Sequence, residues 1–586
     1  MRALPLGRVL LLLAPIACVG LFGRVYYTPD EPREASLVAS MAAQANKALP
    51  EFDGRPFAEK PPLLYWLGAA SVQALGASPA AARLPNLGYL LVTALALGAL
   101  AGRAAGRAAG FATAIVSVTA LQLYQVLIWL ATDAPLLAGV AVALLGCYTG
   151  LSAVGSRERR LGYLGFNLGL AIAFFAKGFA GWLVPVPAFL FVVVLERRWR
   201  ELFRAELWLG ALLVVLAIGA WVYAVDRMPL GRESLKVMFW YNLVGRALPL
   251  DAPPEFAYAT GHQNSFGKYL LELPLYLMPW IALALAATRR GVRGWRATGA
   301  LGTAWRLGIG AIVPATILLS FAATARGVYY GPPALGWALL IGLYVGGAAT
   351  ALDRFDRGCW RVTGWLIALL AILLGAFVAL MAFAPAVRDT SSVVLGSVAL
   401  VAAAAAAWLG LTPPVAAAGS LPRYAFAFAL VLTLVVAPLL RQLNDWQDLR
   451  VFAQRVSISA GWRPLIALGA DETTVAMLSL YVPAAELGPV LTSNSEEAVA
   501  AAHRALRASR GEARILWLVP GGVRWSRADW FAFLGYGAAR AQPRPAVLPP
   551  AGLGAVRLEC VVSRPGGRSF AVLAAADAAP SDSTCR

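Results

Sequence analysis

Charged residues are scarce in this chain of 586 residues: 14% are charged, whereas 59% are apolar. The mean hydropathy is +0.67, and a soluble core cannot absorb that much apolar surface. The chain has only two histidines and five cysteines, and no two cysteines form a CxxC pair, so no zinc ribbon or redox motif is present. It also lacks a GxxxxGKS or GxxxxGKT loop and a clear GxGxxG after a strand, the usual signatures of nucleotide binding.

Apolar runs long enough to cross a membrane recur from Val9 to Leu440. A helix needs about 20 apolar residues to span about 30 Å of hydrocarbon, and this rule predicts about thirteen spans of about 17 to 22 residues. The first is interpreted as a retained anchor, because it lacks a convincing small-x-small cleavage site. The predicted spans begin near residues 7, 84, 109, 134, 161, 180, 206, 269, 308, 333, 363, 391 and 424.

Arginine is unevenly distributed between alternate loops. The net charge is +19, and much of the excess lies in short loops between apolar runs, which indicates topology and not nucleic-acid binding. With a cytoplasmic amino terminus, the arginine-rich loops lie inside; they contain Arg2 and Arg8, Arg103 and Arg107, and residues 157–160, 197–204, 289–296 and 354–361. The odd number of spans then places the carboxy-terminal tail outside, where Cys560 and Cys585 could form a disulfide.

Three outside segments are too polar for the membrane: residues 25–83, 226–267 and 442–586. In the last of these, apolar runs predict strands at 464–469, 515–519, 558–562 and 570–574, and residues 495–508 predict a helix. The predicted fold is therefore mainly α. A polytopic domain of about 13 transmembrane helices covers residues 1–441, and a small α/β domain outside the membrane covers residues 442–586.

The first outside segment begins with acidic residues at a membrane boundary. Asp30 and Glu31 are adjacent and Glu34 follows in a stretch of helical character. Desolvating carboxylates is costly, so they should pair with cations, bind a metal, or take part in proton transfer and substrate binding. The alternative is a helix N-terminus at which the same residues complement the dipole.

The same segment continues as Glu59-Lys60-Pro61-Pro62 followed by an apolar and aromatic run that includes Tyr65. Two prolines suit the start of a helix, and a cation at the start of an interfacial helix suits a lipid phosphate. An ordinary interfacial anchor fits equally well, because Tyr and Trp favour the headgroup zone.

Together these motifs resemble bacterial membrane glycosyltransferases of the GT-C class, which are related to protein O-mannosyltransferases. The most similar group is the 4-amino-4-deoxy-L-arabinose lipid A transferases. The resemblance covers the amino-terminal part of the chain to about residue 350. It rests on Asp30-Glu31 with Arg33, Phe57 to Trp66, Ala82-Arg83-Leu84-Pro85, Thr132-Asp133-Ala134-Pro135, Ala176-Lys177-Gly178, Asn242 with Gly245-Arg246, Gly261-His262-Gln263-Asn264, Leu273-Pro274 and Pro279-Trp280.

The resemblance implies transfer of a sugar from a polyprenyl (undecaprenyl) phosphate, with inversion, at the outer face of the bacterial inner membrane. Such a transfer develops positive charge on the sugar and negative charge on the departing phosphate, so it needs carboxylates and cations. The predicted catalytic carboxylates are Asp30, Glu31 and Asp133. Asp30 is the leading candidate and acts as general base if the acceptor is a hydroxyl; for a phosphate acceptor it would orient the acceptor or stabilise the charged ring.

The predicted donor-phosphate ligands are cations and one tyrosine in the outer segments: Lys60, Arg246, Arg326, Lys177 and Tyr330. Lys60 is the strongest of these. A snorkelling role explains Lys177 nearly as well, and an interfacial-belt role explains Tyr330 as well as phosphate contact does. Arg33, Arg83 and Tyr65 are expected to support the site, with Arg83 tying the loop to the core.

A zinc or other divalent metal is implied only by the resemblance, which maps its ligands to Glu59 and His262. Two ligands are too few for zinc, which normally takes three or four protein ligands. No cofactor is therefore assigned with certainty.

The expected partners are the polyprenyl-phosphate sugar, an envelope acceptor and membrane lipids, without nucleic acid. The favoured reaction transfers aminoarabinose or a related sugar to lipid A. The alternative is a protein O-mannosyltransferase-like or other hexosyltransferase that acts on protein or another glycan. A transporter would also have many helices, but the chain shows no inverted repeat. A lipid-binding relative without activity fits poorly with retention of Asp30, Glu31, Lys60 and Asp133.

Overall fold

The computed structural model describes residues 6–242, 244, 264–322, 324–347, 352–384, 389–414, 416–520, 549–563 and 569–578. Its first half is helical apart from one short hairpin, β1 (Glu51–Phe52) and β2 (Arg55–Pro56). The helices of this half are α1 (Leu6–Cys18), α2 (Asp30–Ala43), α3 (Leu63–Leu75), α4 (Pro79–Ala105), α5 (Arg107–Thr119), α6 (Leu121–Ile128), α7 (Asp133–Ser152), α8 (Ser156–Lys177), α9 (Pro185–Leu195), α10 (Ala205–Asp226) and α11 (Gly231–Lys236).

The second half continues the helical bundle and ends in a small sheet domain. The bundle helices are α12 (Lys268–Tyr276), α13 (Ile281–Gly294), α14 (Gly299–Phe321), α15 (Gly331–Gly347), α16 (Arg354–Ala382), α17 (Thr390–Leu411), α18 (Ala417–Leu430) and α19 (Ala437–Gln447). The remaining elements are α20 (Leu449–Ser459), β3 (Leu465–Leu468), α21 (Glu472–Tyr481), β4 (Leu487–Leu491), α22 (Glu496–Ala508), β5 (Arg514–Leu518), β6 (Val556–Ser563) and β7 (Ser569–Ala575).

Within the described ranges, nine helices are long and apolar enough to cross a membrane, or up to eleven if each of two bent helix pairs counts as one span. The bent pairs are α5 with α6 (65°) and α12 with α13 (114°), at the predicted spans near residues 109 and 269. The predicted spans near residues 7 and 180 correspond to shorter helices, α1 with 13 residues and α9 with 11. The predicted polytopic, mainly α fold is confirmed.

The arginine-rich turns lie together at one end of the bundle. Arg103, in the last turn of α4, donates to Thr149 Oγ1 at the end of α7 (2.7 Å). Arg198, between α9 and α10, donates to the Leu151 carbonyl, also at the end of α7. Arg306 Nη1 in turn lies 2.8 Å from Glu196 Oε1 at the end of α9. The starts of α2 and α7 lie at the opposite end, so Asp30 and Asp133 are remote from this basic cluster.

Small residues hold α7 and α8 in close contact, and this packing positions the site. A Cβ on Gly146 of α7 would lie 2.1 Å from the backbone nitrogen of Phe166 in α8, and one on Gly169 of α8 would lie 2.3 Å from the backbone nitrogen of Ala143 in α7. Close backbone approach through glycine is a common way to pack helices in membranes. Because the two helices are antiparallel, their contact brings the first residue of α7 beside the last residue of α8.

The carboxy-terminal domain is a five-stranded sheet in the order β4-β3-β5-β7-β6. Strands β4, β3 and β5 are parallel, whereas β7 and β6 join antiparallel. Helices α20 and α21 pack on one face and α22 on the other. All four predicted strands and the predicted helix are present, which confirms the small α/β domain. The sequence interpretation missed α20, α21 and β4.

The boundary predicted between residues 441 and 442 stays a prediction. Helix α19 runs through it from Ala437 to Gln447, and its side chains contact the first outer segment. Asn444 Nδ2 donates to the Gly23 carbonyl (2.8 Å), and Gln447 Oε1 accepts from the Thr28 amide (3.0 Å).

Candidate active site

Glu31 is the centre of a buried network that fixes the start of α2. Its carboxylate accepts five hydrogen bonds, from Arg24, Arg83 (two bonds), the Leu130 amide and the Tyr27 amide, at 2.8 to 3.0 Å. Burial alone raises the pKa of this carboxyl, but Arg24, Arg83 and the hydrogen bonds outweigh it, so its pKa is lowered. Glu31 is 0% exposed, and this environment gives it a structural position at the base of the site.

Asp30, the first residue of α2, lies beside this network and remains partly exposed. Its Oδ2 accepts a hydrogen bond from Arg326 Nη2 at 2.7 Å, and its Oδ1 lies 3.7 Å from Arg33 Nη2. The Arg326 side chain is itself 34% exposed. Two residues separated by 296 positions therefore form a charge-assisted pair that solvent can reach.

One helical turn further on, Glu34 connects the Asp30 region to Lys60. Glu34 Oε1 lies 2.9 Å from both Arg33 Nη2 and Lys60 Nζ, and its Oε2 accepts from the Tyr65 hydroxyl at 2.8 Å. Burial raises the pKa of this carboxyl, but Lys60 and Arg33 more than compensate and hold it at about 2. Glu34 is therefore an anion that orients Lys60.

A second lysine–carboxylate pair stands where α7 begins and α8 ends. Lys177 Nζ donates to Asp133 Oδ1 and lies 4.7 Å from the centre of the Tyr329 ring, within the range of a cation–π contact. Both charged side chains are largely buried, at 14% and 11% exposure.

Lys60 and Lys177 meet at one cavity of about 520 Å³. Its wall is mostly apolar, and the charged side chains that line it are Glu59, Lys60 and Lys177. The other lining residues are Pro61, Leu136, Gly178, Phe179, Ala180, Leu183, Val184, Met238, Phe239, Asn242, Leu318, Leu319, Phe321, Ala322, Thr324, Tyr329, Pro332 and Pro333. A cavity of this size and lining can hold an amphiphile with an apolar chain and an anionic head.

The charged groups form a continuous path from the cavity to Asp30. Lys60 contacts Glu34, Glu34 contacts Arg33, and Arg33 approaches Asp30, which pairs with Arg326. Signs alternate along this path, so each charge is stabilised by its neighbours despite burial. Cations are thus available at the cavity and a partly exposed carboxylate stands at the far end of the path.

The tertiary structure brings most of the predicted residues together. Lys60, Lys177 and Glu59 line the cavity, Asp133 holds Lys177, and Arg326 holds Asp30. The expected support from Arg33, Arg83 and Tyr65 corresponds to their bonds with Glu34 and Glu31. Arg246 and His262 lie outside the described residues, as does Cys585, whereas Cys560 is disulfide-bonded. The catalytic and binding roles themselves stay predictions.

Tyr330 lies behind the cavity wall, and its predicted contact with the donor phosphate stays a prediction. Its side chain is fully buried, its hydroxyl bonds to Thr316 (3.1 Å) and Trp337 (3.3 Å), and its ring stacks between two other tyrosines, Tyr269 and Tyr276. The neighbouring Tyr329 lines the cavity instead. Both tyrosines lie in the short 3₁₀ turn Gly327–Tyr330, and the sequence alone does not say which one turns inward.

The sequence analysis did not include Glu34 among the predicted catalytic, binding or supporting residues. The available signal was its position three residues after Glu31 and four after Asp30, which places it on the same side of a helix. Its burial against Lys60, 26 residues away, could not be read from local sequence.

The described residues do not provide a ligand set for the metal that the resemblance implies. No group of three or more His, Cys, Asp or Glu side chains is arranged there to hold an ion. Of the two expected ligands, Glu59 faces the cavity and His262 lies outside the described residues. No reaction step is therefore derived through a metal.

Residues 59–223 match the family described as dolichyl-phosphate-mannose-protein mannosyltransferase. The chain is 28% identical over 391 residues to the undecaprenyl phosphate-alpha-4-amino-4-deoxy-L-arabinose arabinosyl transferase of Edwardsiella ictaluri, covering 65% of this chain and 67% of the relative. The enzyme of the same name from Aeromonas salmonicida is 27% identical over 398 residues, covering 65% of this chain and 66% of that protein. The matched segment thus spans about two thirds of these relatives.

Two crystal structures of ArnT from Cupriavidus metallidurans share the fold. The one bound to undecaprenyl phosphate has a TM-score of 0.67 at 16% identity, and the apo structure has 0.66 at 17%. Each comparison covers 97% of this chain and 98% of the other. The resemblance expected from the motifs is therefore confirmed: residues 59–223 match the mannosyltransferase family, and the chain shares the ArnT fold along nearly its whole length.

Proposed function

We propose that the protein is an inverting glycosyltransferase that moves aminoarabinose or a related sugar from undecaprenyl phosphate to lipid A. The reaction takes place at the outer face of the bacterial inner membrane. The named relatives are undecaprenyl phosphate aminoarabinose transferases, and one structural neighbour binds undecaprenyl phosphate. Transfer of a hexose to protein is not favoured by these relatives.

The observation that carries this proposal is the mostly apolar cavity with two lysines on its wall. A polyprenyl chain would occupy the apolar part, and its phosphate would lie against Lys60 and Lys177. An ammonium has three donors, so pairing with Glu34 or Asp133 leaves each lysine donors for a phosphate. The two carboxylates hold the lysines in place before the ligand arrives, which reduces the ordering cost of binding.

Asp30 is the carboxylate proposed to act on the acceptor or the sugar. It is partly exposed, whereas Glu31 and Glu34 are buried and saturated with hydrogen bonds. A carboxylate that Arg326 holds through one oxygen suits either a general base for a hydroxyl or a stabiliser of the charged sugar ring. As the sugar–phosphate bond breaks, Lys60 and Lys177 would stabilise the developing charge on the phosphate.

The orientation in the membrane is part of the proposal. Arg103, Arg198 and Arg306 share one end of the bundle, and basic residues at the ends of spans favour the cytoplasmic side. Asp30, Asp133 and the sheet domain lie at the other end, so they would face the periplasm. This assignment supports a cytoplasmic amino terminus, outer loops at 25–83 and 226–267, and a periplasmic domain over 442–586.

The test is transfer in proteoliposomes that contain the purified full chain, undecaprenyl-phosphate aminoarabinose and lipid A. Mass spectrometry should detect lipid A carrying the added sugar. Asp30→Asn and Lys60→Ala should each abolish the product while leaving membrane insertion intact, and Asp389→Asn, an exposed helix cap, should behave as wild type. Unmodified lipid A with active transfer to another glycan or a protein would overturn the acceptor assignment, and full activity of Asp30→Asn would overturn the site.

A further inference from the structure

The sheet domain reaches the loop that carries Asp30. Helix α21 packs against α2, and the two helices begin side by side. Ser479 Oγ lies 2.7 Å from Ser36 Oγ, and Thr473 Oγ1 donates to the Pro29 carbonyl at 3.4 Å. The first turn of α21 therefore adjoins the residue that precedes Asp30.

Glu472, the first residue of α21, forms an ion pair with Arg33. Its Oε2 accepts from Arg33 Nη1 at 2.6 Å. The Arg33 side chain is 8% exposed, whereas that of Glu472 is 48% exposed. The other terminal nitrogen, Arg33 Nη2, lies 2.9 Å from Glu34 and 3.7 Å from Asp30. One buried guanidinium is thus divided among three carboxylates on two domains.

We propose that Glu472 is a positioning residue for Asp30, and this proposal rests on the glycosyltransferase function proposed above. Because Glu472 accepts a hydrogen bond from Nη1 of Arg33, the guanidinium cannot rotate to form a bidentate pair with Asp30. Asp30 Oδ1 then stays beyond hydrogen-bond distance of Arg33, while Oδ2 is held by Arg326. One oxygen of the acting carboxylate remains available to the acceptor.

Without Glu472, we expect the released hydrogen-bond donor of Arg33 to move to Asp30 and to leave Lys60 unaffected. Arginine and carboxylate prefer a bidentate pair, so a released Nη1 would turn to the nearest unsaturated carboxylate. Glu34 is already saturated by Lys60 and Tyr65. The lysines on the cavity wall would therefore keep their geometry, and Arg33 would occupy Oδ1 of Asp30 in place of the acceptor.

An ordinary surface ion pair would behave differently. Exposed pairs contribute about 0 to 1 kcal/mol and their loss leaves distant groups unchanged. Here the partner of Glu472 is a buried cation that also faces Asp30 and Glu34, with Glu59, Lys60 and Arg326 nearby. When the Glu472 charge is lost, the Arg33 guanidinium must therefore find its replacement partner among the carboxylates of the site.

The test compares Glu472→Gln, Glu472→Asp and Glu497→Gln in the full-length enzyme. Glu497 is exposed in the first turn of α22, on the opposite face of the sheet, so it controls for loss of an acid at a helix start. A hydrogen bond from Arg33 to Oδ1 of Asp30 would compete with the acceptor for that oxygen, so kcat of Glu472→Gln should fall about three- to thirtyfold. KM for the undecaprenyl-phosphate sugar should stay unchanged, Glu472→Asp should recover most of kcat, and Glu497→Gln should match wild type.

Amide hydrogen exchange over residues 27–34 gives a readout that does not require activity. It should accelerate in Glu472→Gln but not in Glu497→Gln. Wild-type kcat in Glu472→Gln, an equal loss in Glu472→Asp, or unchanged exchange overturns the positioning role. An inactive wild type with accelerated exchange in Glu472→Gln refutes the proposed function and leaves the Arg33 restraint standing.

Discussion

Replacement of Glu31 by Gln tests whether this residue contributes to the stability of the folded protein or to catalysis. The substitution keeps the size of the side chain and removes the charge that faces Arg24 and Arg83, whose side chains are 1% and 0% exposed. Breaking a buried ion pair in this way costs about 3 to 5 kcal/mol, because the partner charges stay buried without compensation. Because the entropy of unfolding scales with chain length, this loss of free energy in a chain of 586 residues corresponds to a fall in Tm of about 2 to 4 °C.

The assay is thermal unfolding of the detergent-purified protein, followed by tryptophan fluorescence. Glu51→Gln is the matched control, since Glu51 lies in the same outer segment and is exposed. Asp30→Asn is the functional comparison and should lose transfer at wild-type Tm. A Glu31→Gln protein that melts within about 1 °C of wild type and has lost transfer would refute the structural assignment and restore Glu31 as a catalytic carboxylate.

The same reasoning predicts the pH dependence of stability. Folding lowers the pKa of Glu34 from 4.5 to about 2 and also lowers that of Glu31. A carboxyl with a depressed pKa stabilises the folded state above its unfolded pKa, and this contribution is lost as the pH falls through the folded value. Wild-type Tm should therefore decline between about pH 4.5 and pH 2, and Glu31→Gln should show a shallower decline.

Two further predictions concern residues around the cavity. Tyr329→Ala should raise KM for the donor about two- to tenfold through loss of its contact with Lys177, whereas Tyr330→Phe should leave KM unchanged and lower stability by about 0.5 to 1.5 kcal/mol. The reverse pattern in steady-state kinetics would show that Tyr330 faces the donor. Gly146→Val should abolish transfer and folded yield because its Cβ meets the α8 backbone, while Gly88→Ala, with open space around it, should be recovered by size-exclusion chromatography in wild-type amount.

Much of the site could be predicted from local sequence because its charges are costly to bury and therefore conspicuous in so apolar a chain. Lys60, Lys177, Asp133 and Arg326 were all proposed on that ground, and each lies in the cavity or in the charged network. The sequence did not distinguish Tyr329 from Tyr330, because the two adjacent tyrosines in a 3₁₀ turn point in different directions and only packing decides which one is buried.

Roles that depend on distant partners were not accessible in this way. Glu31 and Asp30 are adjacent and chemically alike, yet one is saturated by Arg24 and Arg83 and the other remains partly exposed. The importance of Glu472 depends on an ion pair across 439 positions. No motif indicates such a contact, because it forms only when the sheet domain docks on the first outer segment.

The sequence by itself determined the class of the protein and predicted that its candidate site residues lie at one end of the bundle. Apolar length requires spanning helices, and the alternation of arginine between loops distinguishes the two ends. The tertiary structure decided which carboxylate stays partly exposed, which tyrosine lines the cavity, and how the sheet domain contacts the first outside segment. These properties depend on how buried charges are shared among partners far apart in the chain, and only the folded arrangement sets those partners.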